Sequence, residues 1–534
     1  MFQTYTYPRF DYRQSAEQQS GRIARHPVVI IGAGPVGLAQ ALDLARRGVP
    51  SLVLDDDDTV SIGSRAVCYA KRPLEILDRL GLGEEFARKG VQWKVGKVFF
   101  RDALAYDFDL LPEDDHKMPA MINYQQYHLE ERMVQACTEA GLVELRWKHR
   151  LLSLRQHPDH VALNVETPDG IYRIEAQWVI ACDGANSTVR GMVGADFSGQ
   201  YFQDRFLIAD VVMKADFPTE RWFWFDPPFH RHQSVLLHRQ ADNVWRIDFQ
   251  LGWDADPVEE KKPEKVIPRI QAMLGKEVGF ELEWVSVYQF ACRRIDKFRH
   301  QRVFFAGDAA HQVSPFGARG ANTGLQDCDN LGWKLQAVLN SQAPEALLDS
   351  YHEERAHAAD DNLGHSTRAT DFITPKSRGS RRLRNAVLEL ARTEAFARPL
   401  VNSGRLSAPT PYLHSPLNTP DSAHFEGGMR PGTNCADAPI EVGGRGGWLL
   451  NQLGQDFTLL SFGPAQDVTV GGCTACVLEV GRDIVDRKGL VRQRYDGQPG
   501  TVYLIRPDQH VAARWRSFDA QAVAQALRRA LQLH

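Results

Sequence analysis

The sequence has no long hydrophobic run, no large excess of charge and no disulfide framework. The longest apolar stretch, around residues 28–39, is interrupted by glycines and is too short to cross a bilayer. The net charge of -4 gives no reason to expect a nucleic acid or an anionic membrane as partner. Eight scattered cysteines favour reduced thiols in the cytoplasm, and no cluster of them forms a metal motif. The first residues lack the pattern of a secretory signal. We therefore expect a cytoplasmic protein without membrane, nucleic acid or metal.

What the sequence does contain is a nucleotide-binding pattern between His26 and Asp55. The apolar run at residues 28–31 predicts a buried parallel strand, and it leads into Gly32, Gly34 and Gly37 in the spacing G-x-G-x-x-G. Residues 38–47 have helical apolar spacing, and a second strand follows at residues 51–54. The full strand–turn–helix–strand setting predicts a dinucleotide site, but it does not distinguish FAD from NAD.

Each residue type in this pattern has a physical reason. Gly32 permits the tight turn, Gly34 lets the backbone approach a pyrophosphate, and Gly37 lets helix and strand pack closely. The helix N-terminus offers free N–H groups and the positive end of its dipole to phosphates. Asp55 ends the second strand, where a carboxylate accepts ribose hydroxyls. Asp56 is a further candidate, although the acidic run 56–58 is also typical of a solvated turn.

Two more motifs follow, VIACDGANSTVR at residues 179–190 and a stretch at 302–335 that contains GDAAH and SPFGARGAN. The order of the three motifs resembles the para-hydroxybenzoate hydroxylase family of class A, single-component flavin monooxygenases, over residues 27–355. Among longer members, 3-(3-hydroxyphenyl)propionate hydroxylase is closest in layout. The resemblance implies FAD as cofactor, NADH or NADPH as co-substrate, and a homodimer.

The resemblance also implies roles for single residues. Asp183 lies near the pyrophosphate, Asp308 binds the ribityl hydroxyls, and Arg65 and Gln126 contact the ribityl–phosphate region, with Gln125 a close competitor of Gln126. His311 is interpreted as structural. The predicted cofactor-binding residues are Gly32, Gly34, Pro35, Gly37, Asp55, Asp56, Arg65, Gln126, Asp183, Arg190, Gly307, Asp308, Pro315, Gly320, Ala321 and Asn322.

The loop at residues 315–322 is rich in small residues, which give a flat ring close access to the backbone. Asn322 or Thr323 is predicted to cap a helix over residues 324–339. The helix N-terminus would direct N–H groups at the flavin edge where reduction places negative charge. Arg319 departs from the family pattern at this loop, and the sequence gives it no role.

Residues 201–290 alternate apolar and polar positions in short runs, which predicts antiparallel strands. In the family such a sheet covers the flavin and carries the aromatic pocket. The candidate substrate contacts are Trp222, Trp224, His238, Arg246 and Pro315, although ordinary core positions explain single aromatics as well. Trp222-x-Trp224-x-x-Pro227 comes close to a halogenase signature, but Asp226 stands where that signature has Ile.

The predicted fold is an α/β, Rossmann-like FAD-binding domain interleaved with an antiparallel or mixed β-sheet substrate domain. The ending YLIRPDQHVAARW at residues 503–515 resembles the tail of longer members of the family, and this resemblance implies a thioredoxin-like C-terminal domain. The predicted segments are an N-terminal extension (1–26), the first FAD-binding segment (27–195, with a piece of the substrate sheet near 93–122), the substrate sheet (196–290), the second FAD-binding segment with helices (291–400), a linker (401–440) and the thioredoxin-like domain (441–534). Cys473 and Cys476 have C-x-x-C spacing, but they follow a second strand-like run, where a redox pair is not expected.

The reaction that the resemblance implies is hydroxylation of a phenolic ring, as in aromatic catabolism, with NAD(P)H and dioxygen through a flavin C4a-hydroperoxide. No residue is assigned as the base that ionises the phenol. Two alternatives stay open. One is hydroxylation, epoxidation or halogenation of a larger polycyclic compound, and the other is a flavin-binding protein without turnover.

Overall fold

The computed structural model describes residues 4–63, 65–213, 217–401, 406 and 408–533. The predicted linker residues 402–405 and 407, and the terminal residues 1–3 and 534, lie outside this range. The strands are, in chain order, β1 (Arg25–Ile31), β2 (Ser51–Asp55), β3 (Cys68–Ala70), β4 (Val91–Trp93), β5 (Val95–Phe100), β6 (Ala103–Asp109), β7 (Met121–Asn123), β8 (Val143–Trp147), β9 (Arg150–Gln156), β10 (Val161–Thr167), β11 (Gly170–Ala181), β12 (Phe197–Met213), β13 (Arg221–Phe225), β14 (Ser234–Arg239), β15 (Val244–Leu251), β16 (Phe280–Ile295), β17 (Arg299–His300), β18 (Val303–Phe305), β19 (His311–Gln312), β20 (Pro439–Val442), β21 (Arg445–Trp448), β22 (Thr458–Ser461), β23 (Val468–Val470), β24 (Cys473–Glu479), β25 (Val502–Ile505) and β26 (Val511–Trp515).

The α-helices are fewer and include two long ones that cross the FAD-binding unit. They are α1 (Ala16–Ser20), α2 (Pro35–Arg46), α3 (Lys71–Arg79), α4 (Gly83–Lys89), α5 (Gln126–Glu139), α6 (Thr188–Val193), α7 (Pro263–Leu274), α8 (Gly320–Leu339), α9 (Asp349–Ile373), α10 (Arg378–Leu390), α11 (Arg398–Val401), α12 (Leu490–Arg494) and α13 (Ala520–Ala530). Within the described ranges, none of these helices is long and apolar enough to span a membrane.

The first sheet has the strand order β17-β18-β11-β1-β2-β8, with the hairpin β9–β10 attached to β11. Strands β18, β11, β1, β2 and β8 run parallel. The central strand β1 is buried because α2 packs on it between α5 and α8. The carboxyl ends of β1, β2, β11 and β18 share one edge, and the predicted cofactor motifs follow these strands there.

The second sheet has the order β19-β16-β12-β15-β14-β13-β5-β6. It is antiparallel except for the parallel pair β13 and β5. One face, called the outer face, packs its apolar side chains under α7, with Val266 and Ile270 fully buried. The opposite face, called the inner face, turns towards the first sheet and carries most of the charged residues described below.

The C-terminal sheet has the order β23-β24-β22-β25-β26, with β22 and β24 parallel and α13 packed against it. The chain between β22 and β24 forms strand β23 and no helix in this fully described stretch. A thioredoxin-like fold has a helix at that connection, so the thioredoxin-like assignment stays a prediction. The mixed α/β architecture predicted for the rest of the chain is confirmed by the first two sheets.

A buried ionic network joins this C-terminal unit to the FAD-binding unit. Arg506 donates to both oxygens of Glu354 on α9 (2.5 and 2.9 Å), and it also pairs with Asp508. Trp333 on α8 donates to Asp508 (3.1 Å), and Arg72 on α3 donates to the Asp508 carbonyl (2.8 Å). Arg506, Glu354 and Asp508 are fully buried, so the contact excludes water from their charges.

The N-terminal extension runs along the segment that follows β2. The Tyr7 hydroxyl accepts a hydrogen bond from the Gly63 N–H (2.9 Å), and the Thr59 hydroxyl donates to the Pro8 carbonyl (2.6 Å). Phe10 stacks on Trp147 at the end of β8. The extension therefore braces the chain between the adenosine end and the flavin end of the predicted cofactor site.

Candidate active site

The turn after β1 has the geometry that the glycine pattern predicts. Gly32 has φ +104°, and a Cβ there would lie 2.5 Å from the Cys182 carbonyl oxygen. A Cβ on Gly37 would lie 1.9 Å from the Gly32 carbonyl oxygen, so no side chain fits. A Cβ on Gly34 would meet no protein atom within 4 Å. Gly34 and Pro35 start α2 without a side-chain cap, which leaves the helix N–H groups open to phosphate.

Asp55 braces this turn from the end of β2. Its carboxylate accepts hydrogen bonds from the N–H groups of Ala33 (2.6 Å) and Asp57 (2.9 Å). Burial raises the pKa of the Asp55 carboxyl, although the two N–H donors oppose that shift. Asp56 is exposed beside it. The two predicted adenosine contacts therefore differ, because Asp55 already has protein partners and Asp56 faces outward.

Asp183 and Arg190 organise the loop after β11. The Asp183 carboxylate accepts from the Val189 N–H (3.2 Å), while its other oxygen is buried without a partner among the described residues. Arg190 donates to the carbonyl oxygens of Gly184, Asp308 and Ala309. Its guanidinium thus ties the two cofactor loops together. One carboxylate oxygen of Asp183 can therefore accept a hydrogen bond from a ligand, whereas Arg190 holds the two loops together through its protein contacts.

Asp308 lies past β18 in a short 3-10 helix, Gly307–Ala309. Its side chain is exposed, yet desolvation by the surrounding protein raises the pKa of its carboxyl, with Arg65 and Arg190 acting in the opposite direction. A carboxylate deep in a cleft combines these two properties. A Cβ on Gly320 would lie 4.0 Å from the Asp308 carboxylate, so Asp308 faces the loop at residues 315–322.

Val36 joins the first motif to the third. Its side chain contacts the positions that a Cβ would take on Gly307 (2.9 Å) and Gly324 (2.6 Å). His311 lies behind them and contacts the Asp327 carboxylate (2.7 Å), which also accepts from the Gly307 N–H (2.9 Å). His311 is completely buried, in agreement with its structural interpretation.

The loop at residues 315–322, named the flavin loop after its predicted role, is followed by a helix that begins earlier than predicted. Helix α8 starts at Gly320, and neither Asn322 nor Thr323 caps it, so that prediction is wrong. The Asn322 amide instead accepts from the Ala70 N–H (2.9 Å) and donates to the Cys68 carbonyl (2.8 Å). Thr323 accepts from Arg355. Long-range partners for both side chains allow the helix to extend by one turn, through Ala321, towards the loop.

Arg319 and Pro315 define the rest of that loop. Arg319 is buried and donates to Asn362 on α9 (2.6 Å), so the residue that departs from the family pattern anchors the loop. Pro315 is half-buried at the start of the loop. Phe316 packs edge-on against Phe206 and Phe290 of the inner face. The flavin loop and the inner face therefore form two walls of one cleft.

Gln126 and Gln125 point in different directions. The Gln126 amide accepts from the Ala66 N–H (2.9 Å), next to the exposed Arg65, and donates to Glu130 (2.7 Å). Gln125 is buried and donates to the Ala241 carbonyl (3.0 Å), towards the substrate sheet. Gln126 is therefore the glutamine that adjoins Arg65.

The second sheet separates the predicted substrate residues onto two faces. Trp222 pairs with Leu237 and Trp224 with Val235, and all four belong to the apolar cluster under α7. His238 pairs with Arg246 on the inner face. Trp222 and Trp224 thus pack in the outer core, which corrects their prediction as substrate contacts. His238 and Arg246 lie on the face that turns to the cleft.

The inner face carries a cluster of charged residues around His238 and Arg246. Arg246 forms a two-pronged ion pair with Asp210 (2.8 Å for both contacts). Burial and two nearby arginines hold the pKa of His238 well below its usual range, so its imidazole is neutral. Its Nδ1 lies 3.8 Å from the Cys68 sulfur, on the strand that Asn322 holds.

Two further inner-face residues, Arg221 and Asp248, are not found by reasoning from the sequence. Arg221 donates to the Cys68 sulfur (3.3 Å), and Asp248 has a buried oxygen without a partner among the described residues. One pattern in the sequence of β15 does point to Asp248: the polar residues Arg246, Asp248 and Gln250 occupy every second position of the strand. The structure shows that this strand is fully buried. Which face they occupy depends on the sheet register, which the sequence does not supply.

Comparisons of the chain with known proteins identify its family. A family model described as an FAD binding domain matches residues 25–366. The chain is 31% identical over 395 residues to 12-dehydrotetracycline 5-monooxygenase/anhydrotetracycline 6-monooxygenase of Streptomyces rimosus, covering 71% of this chain and 76% of that protein. It is 27% identical to 3-(3-hydroxy-phenyl)propionate/3-hydroxycinnamic acid hydroxylase of Mycolicibacterium smegmatis over 68% of this chain and 64% of that one.

The fold is shared along nearly the whole chain with a solved structure. The flavin-dependent monooxygenase PieE, in complex with FAD and substrate, superimposes with a TM-score of 0.82 at 22% identity, covering 96% of this chain and 99% of that one. The open side of Gly34, the unpartnered Asp183 oxygen and the cleft carboxylate of Asp308 fit FAD. The chain belongs to the FAD-binding family of class A flavin monooxygenases, and it is an FAD-dependent enzyme.

Proposed function

We propose that this enzyme hydroxylates an aromatic substrate that bears a phenolic hydroxyl, with NADH or NADPH as reductant and dioxygen as oxidant. The observation that carries the proposal is the inner face itself. Its polar cluster lies across one cleft from the flavin loop and consists of the buried His238, Arg246 and Asp248 and the half-buried Arg221. A purely apolar substrate would leave such groups without partners at a high desolvation cost.

The protein's own residues have three tasks in this reaction. The N-terminus of α2 at Gly34 binds the pyrophosphate, and Asp308 binds the ribityl hydroxyls, which fixes the ring in the cleft. The N-terminus of α8 stabilises negative charge on the reduced ring. The chemistry that bound FAD would supply is a two-electron reduction by NAD(P)H and activation of dioxygen, with one oxygen atom passing to the substrate and the other leaving as water. The sheet covers the reacting atoms and excludes water.

Two sizes of substrate fit this proposal, a one-ring phenolic acid and a larger polycyclic phenol. The relatives include both a hydroxyphenylpropionate hydroxylase and an anhydrotetracycline monooxygenase. A half-buried Arg221 and the polar inner face favour a substrate with an acidic oxygen in either case. The homodimer and the cytoplasmic location stay predictions.

The test follows NADH and NADPH oxidation by the FAD-loaded enzyme, with phenolic acids in one arm and polycyclic phenols in the other. Acceleration by one compound, with a product about 16 mass units heavier (one oxygen atom), supports hydroxylation and identifies the substrate size. Acceleration that forms only hydrogen peroxide, or no acceleration in either arm, would contradict it. A halide requirement would favour the halogenase alternative.

A further inference from the structure

Three basic side chains lie in one row across the inner face: Arg221, His238 and Arg246. Only Arg221 is charged and has no ion-pair partner among the described residues. His238 is neutral, because burial keeps the pKa of its imidazole low. Arg246 is compensated by its two-pronged pair with Asp210. Arg221 has no carboxylate within ion-pair distance among the described residues. Its described contacts are the Cys68 sulfur and the face of Trp93 at 5.9 Å.

Asp248 is the acidic counterpart on the neighbouring row. It is 8% exposed, and its Oδ1 accepts no hydrogen bond from any described residue. Strand pairing places Asp248 opposite Leu236 on one side and Ile208 on the other, so neither neighbour supplies a donor. A buried carboxylate oxygen without a donor costs free energy, which a bound hydroxyl would offset.

The side chains of Arg221 and Asp248 both lie on the face of the second sheet that contacts the flavin loop. Cys68, which accepts from Arg221, is held through its carbonyl by Asn322 at the start of α8. On the same inner face, Phe206 and Phe290 pack against Phe316 of the loop. A ring bound next to the flavin would therefore present its substituents to Arg221 and Asp248.

We propose that Arg221 and Asp248 determine substrate specificity: Arg221 binds an acidic oxygen of the aromatic substrate, and Asp248 accepts a hydrogen bond from its hydroxyl. This inference rests on the proposed function. It assigns the substrate class as a hydroxylated aromatic that also carries a carboxylate or a comparably acidic oxygen. Burial raises the pKa of Asp248 to about 6, so its carboxylate is an acceptor at neutral pH and above.

The test measures dissociation constants of the FAD-loaded enzyme at pH 8 for a set of four ligands. These are 3-hydroxybenzoate, benzoate, 3-hydroxybenzamide and benzamide, which differ only in acid and hydroxyl. The corresponding naphthalene set (3-hydroxy-2-naphthoate, 2-naphthoate and their amides) covers a larger pocket. Calorimetry and the perturbation of flavin absorbance give the constants.

The wild-type enzyme is expected to prefer the acid to the amide and the hydroxylated ligand to its parent. Arg221→Met should reduce the acid preference at least tenfold and leave the hydroxyl preference unchanged. Asp248→Asn should reduce the hydroxyl preference at least tenfold and strengthen binding of the acids, because it removes a nearby negative charge. Arg221→Gln is the second variant should the methionine protein fail to fold. Asp107→Asn, an exposed carboxylate on the same sheet, is the control.

Ratios of affinities separate recognition from structural damage, because damage weakens all four ligands alike. Unchanged ratios in both variants, with a phenol that still accelerates NAD(P)H oxidation, would overturn the assignment of Arg221 and Asp248 and leave the proposed function intact. Failure of the wild-type enzyme to bind any of the eight ligands or to respond to any phenol would overturn both.

Discussion

Arg506 near the C-terminus and Glu354 near the start of α9 form a two-pronged ion pair that is completely buried. The residues are separated by 152 positions. Lys334, Asn330 and Ser415 complete the hydrogen bonding of the same carboxylate. The C-terminal unit is thus attached to α9 directly and, through Lys334 and Asn330, to α8, the helix that starts at the flavin loop.

Replacement of Arg506 by Met should therefore destabilise the whole protein. Breaking one partner of a buried pair leaves an uncompensated charge, at a cost of about 3–5 kcal/mol. Denaturant unfolding of the FAD-loaded protein measures it. Arg487→Met, which removes a solvent-exposed pair with Glu441, should cost far less, because water screens the two charges. Equal losses in the two variants would argue against the fastening role.

Two glycines of the first turn should respond differently to alanine. Gly37→Ala places a Cβ 1.9 Å from a carbonyl oxygen, so we expect a loss of folding stability of about 1–3 kcal/mol or more. Gly34→Ala meets no protein atom, so the FAD-free protein should keep its stability while FAD affinity falls at least tenfold. Thermal unfolding and flavin fluorescence titration separate the two effects. A stable Gly37→Ala protein would show that the turn can relax.

Asp308 and Asp327 offer a similar contrast. The Asp308 carboxylate accepts no hydrogen bond from the described residues, whereas Asp327 binds His311, Arg355 and the Gly307 N–H. Asp308→Ala should weaken FAD binding by about 1.5–3 kcal/mol, roughly 10- to 100-fold, without unfolding the protein. Asp327→Asn should lower the unfolding free energy by about 3–5 kcal/mol. Wild-type FAD affinity in Asp308→Ala would remove this residue from the cofactor site.

Asp248 should make folding stability depend on pH. Its pKa rises from 3.8 to about 6 on folding, because burial outweighs the attraction of Arg246 and Arg221. The unfolded chain then releases this proton at lower pH than the folded protein. Its contribution to stability is present below pH 4 and is lost as pH rises to about 6, by roughly 3 kcal/mol. Asp248→Asn should gain stability relative to wild type across this window, as unfolding at pH 4 and pH 7 measures. A difference in unfolding free energy between the two proteins that is the same at pH 4 and pH 7 would contradict the raised pKa of Asp248.

The C-x-x-C pair should be dispensable. Cys473 and Cys476 are both free and both lie in β24, where residues three positions apart point to opposite faces. Burial and nearby carboxylates raise the pKa of each thiol, which lowers its reactivity. The double serine variant should keep substrate-stimulated NAD(P)H oxidation within about twofold. A large loss under reducing conditions would indicate a role that the strand geometry does not provide.

The cofactor motifs could be predicted from the sequence because each is local. Gly32, Asp183 and Asp308 follow the ends of neighbouring parallel strands, and strand periodicity identifies those ends. The start of α8 could not be predicted, because Asn322 finds its partners on β3, more than 250 positions away. A local capping rule has no information about such partners.

The residues of the inner face were harder to predict from the sequence for the same reason. Alternation indicates that Trp222 and Trp224 share one face of β13, but it does not indicate which face meets the flavin loop. The packing of α7 decides this, and α7 follows β13 by some 40 positions. Arg221 and Asp248 come together through the register of three strands, so their relation appears only in the folded sheet.

The buried network at Arg506 also has a consequence for synthesis of the chain. Glu354 is made long before Arg506 leaves the ribosome, and until then its carboxylate has only one of its two basic partners, Lys334. Burying a carboxylate that lacks a partner costs free energy, so we expect the region around Glu354 to pack completely only after Arg506 has emerged. A chain that ends shortly before Arg506 is therefore expected to be less stable than the full chain, because Glu354 would lose one partner of its buried ion pairs.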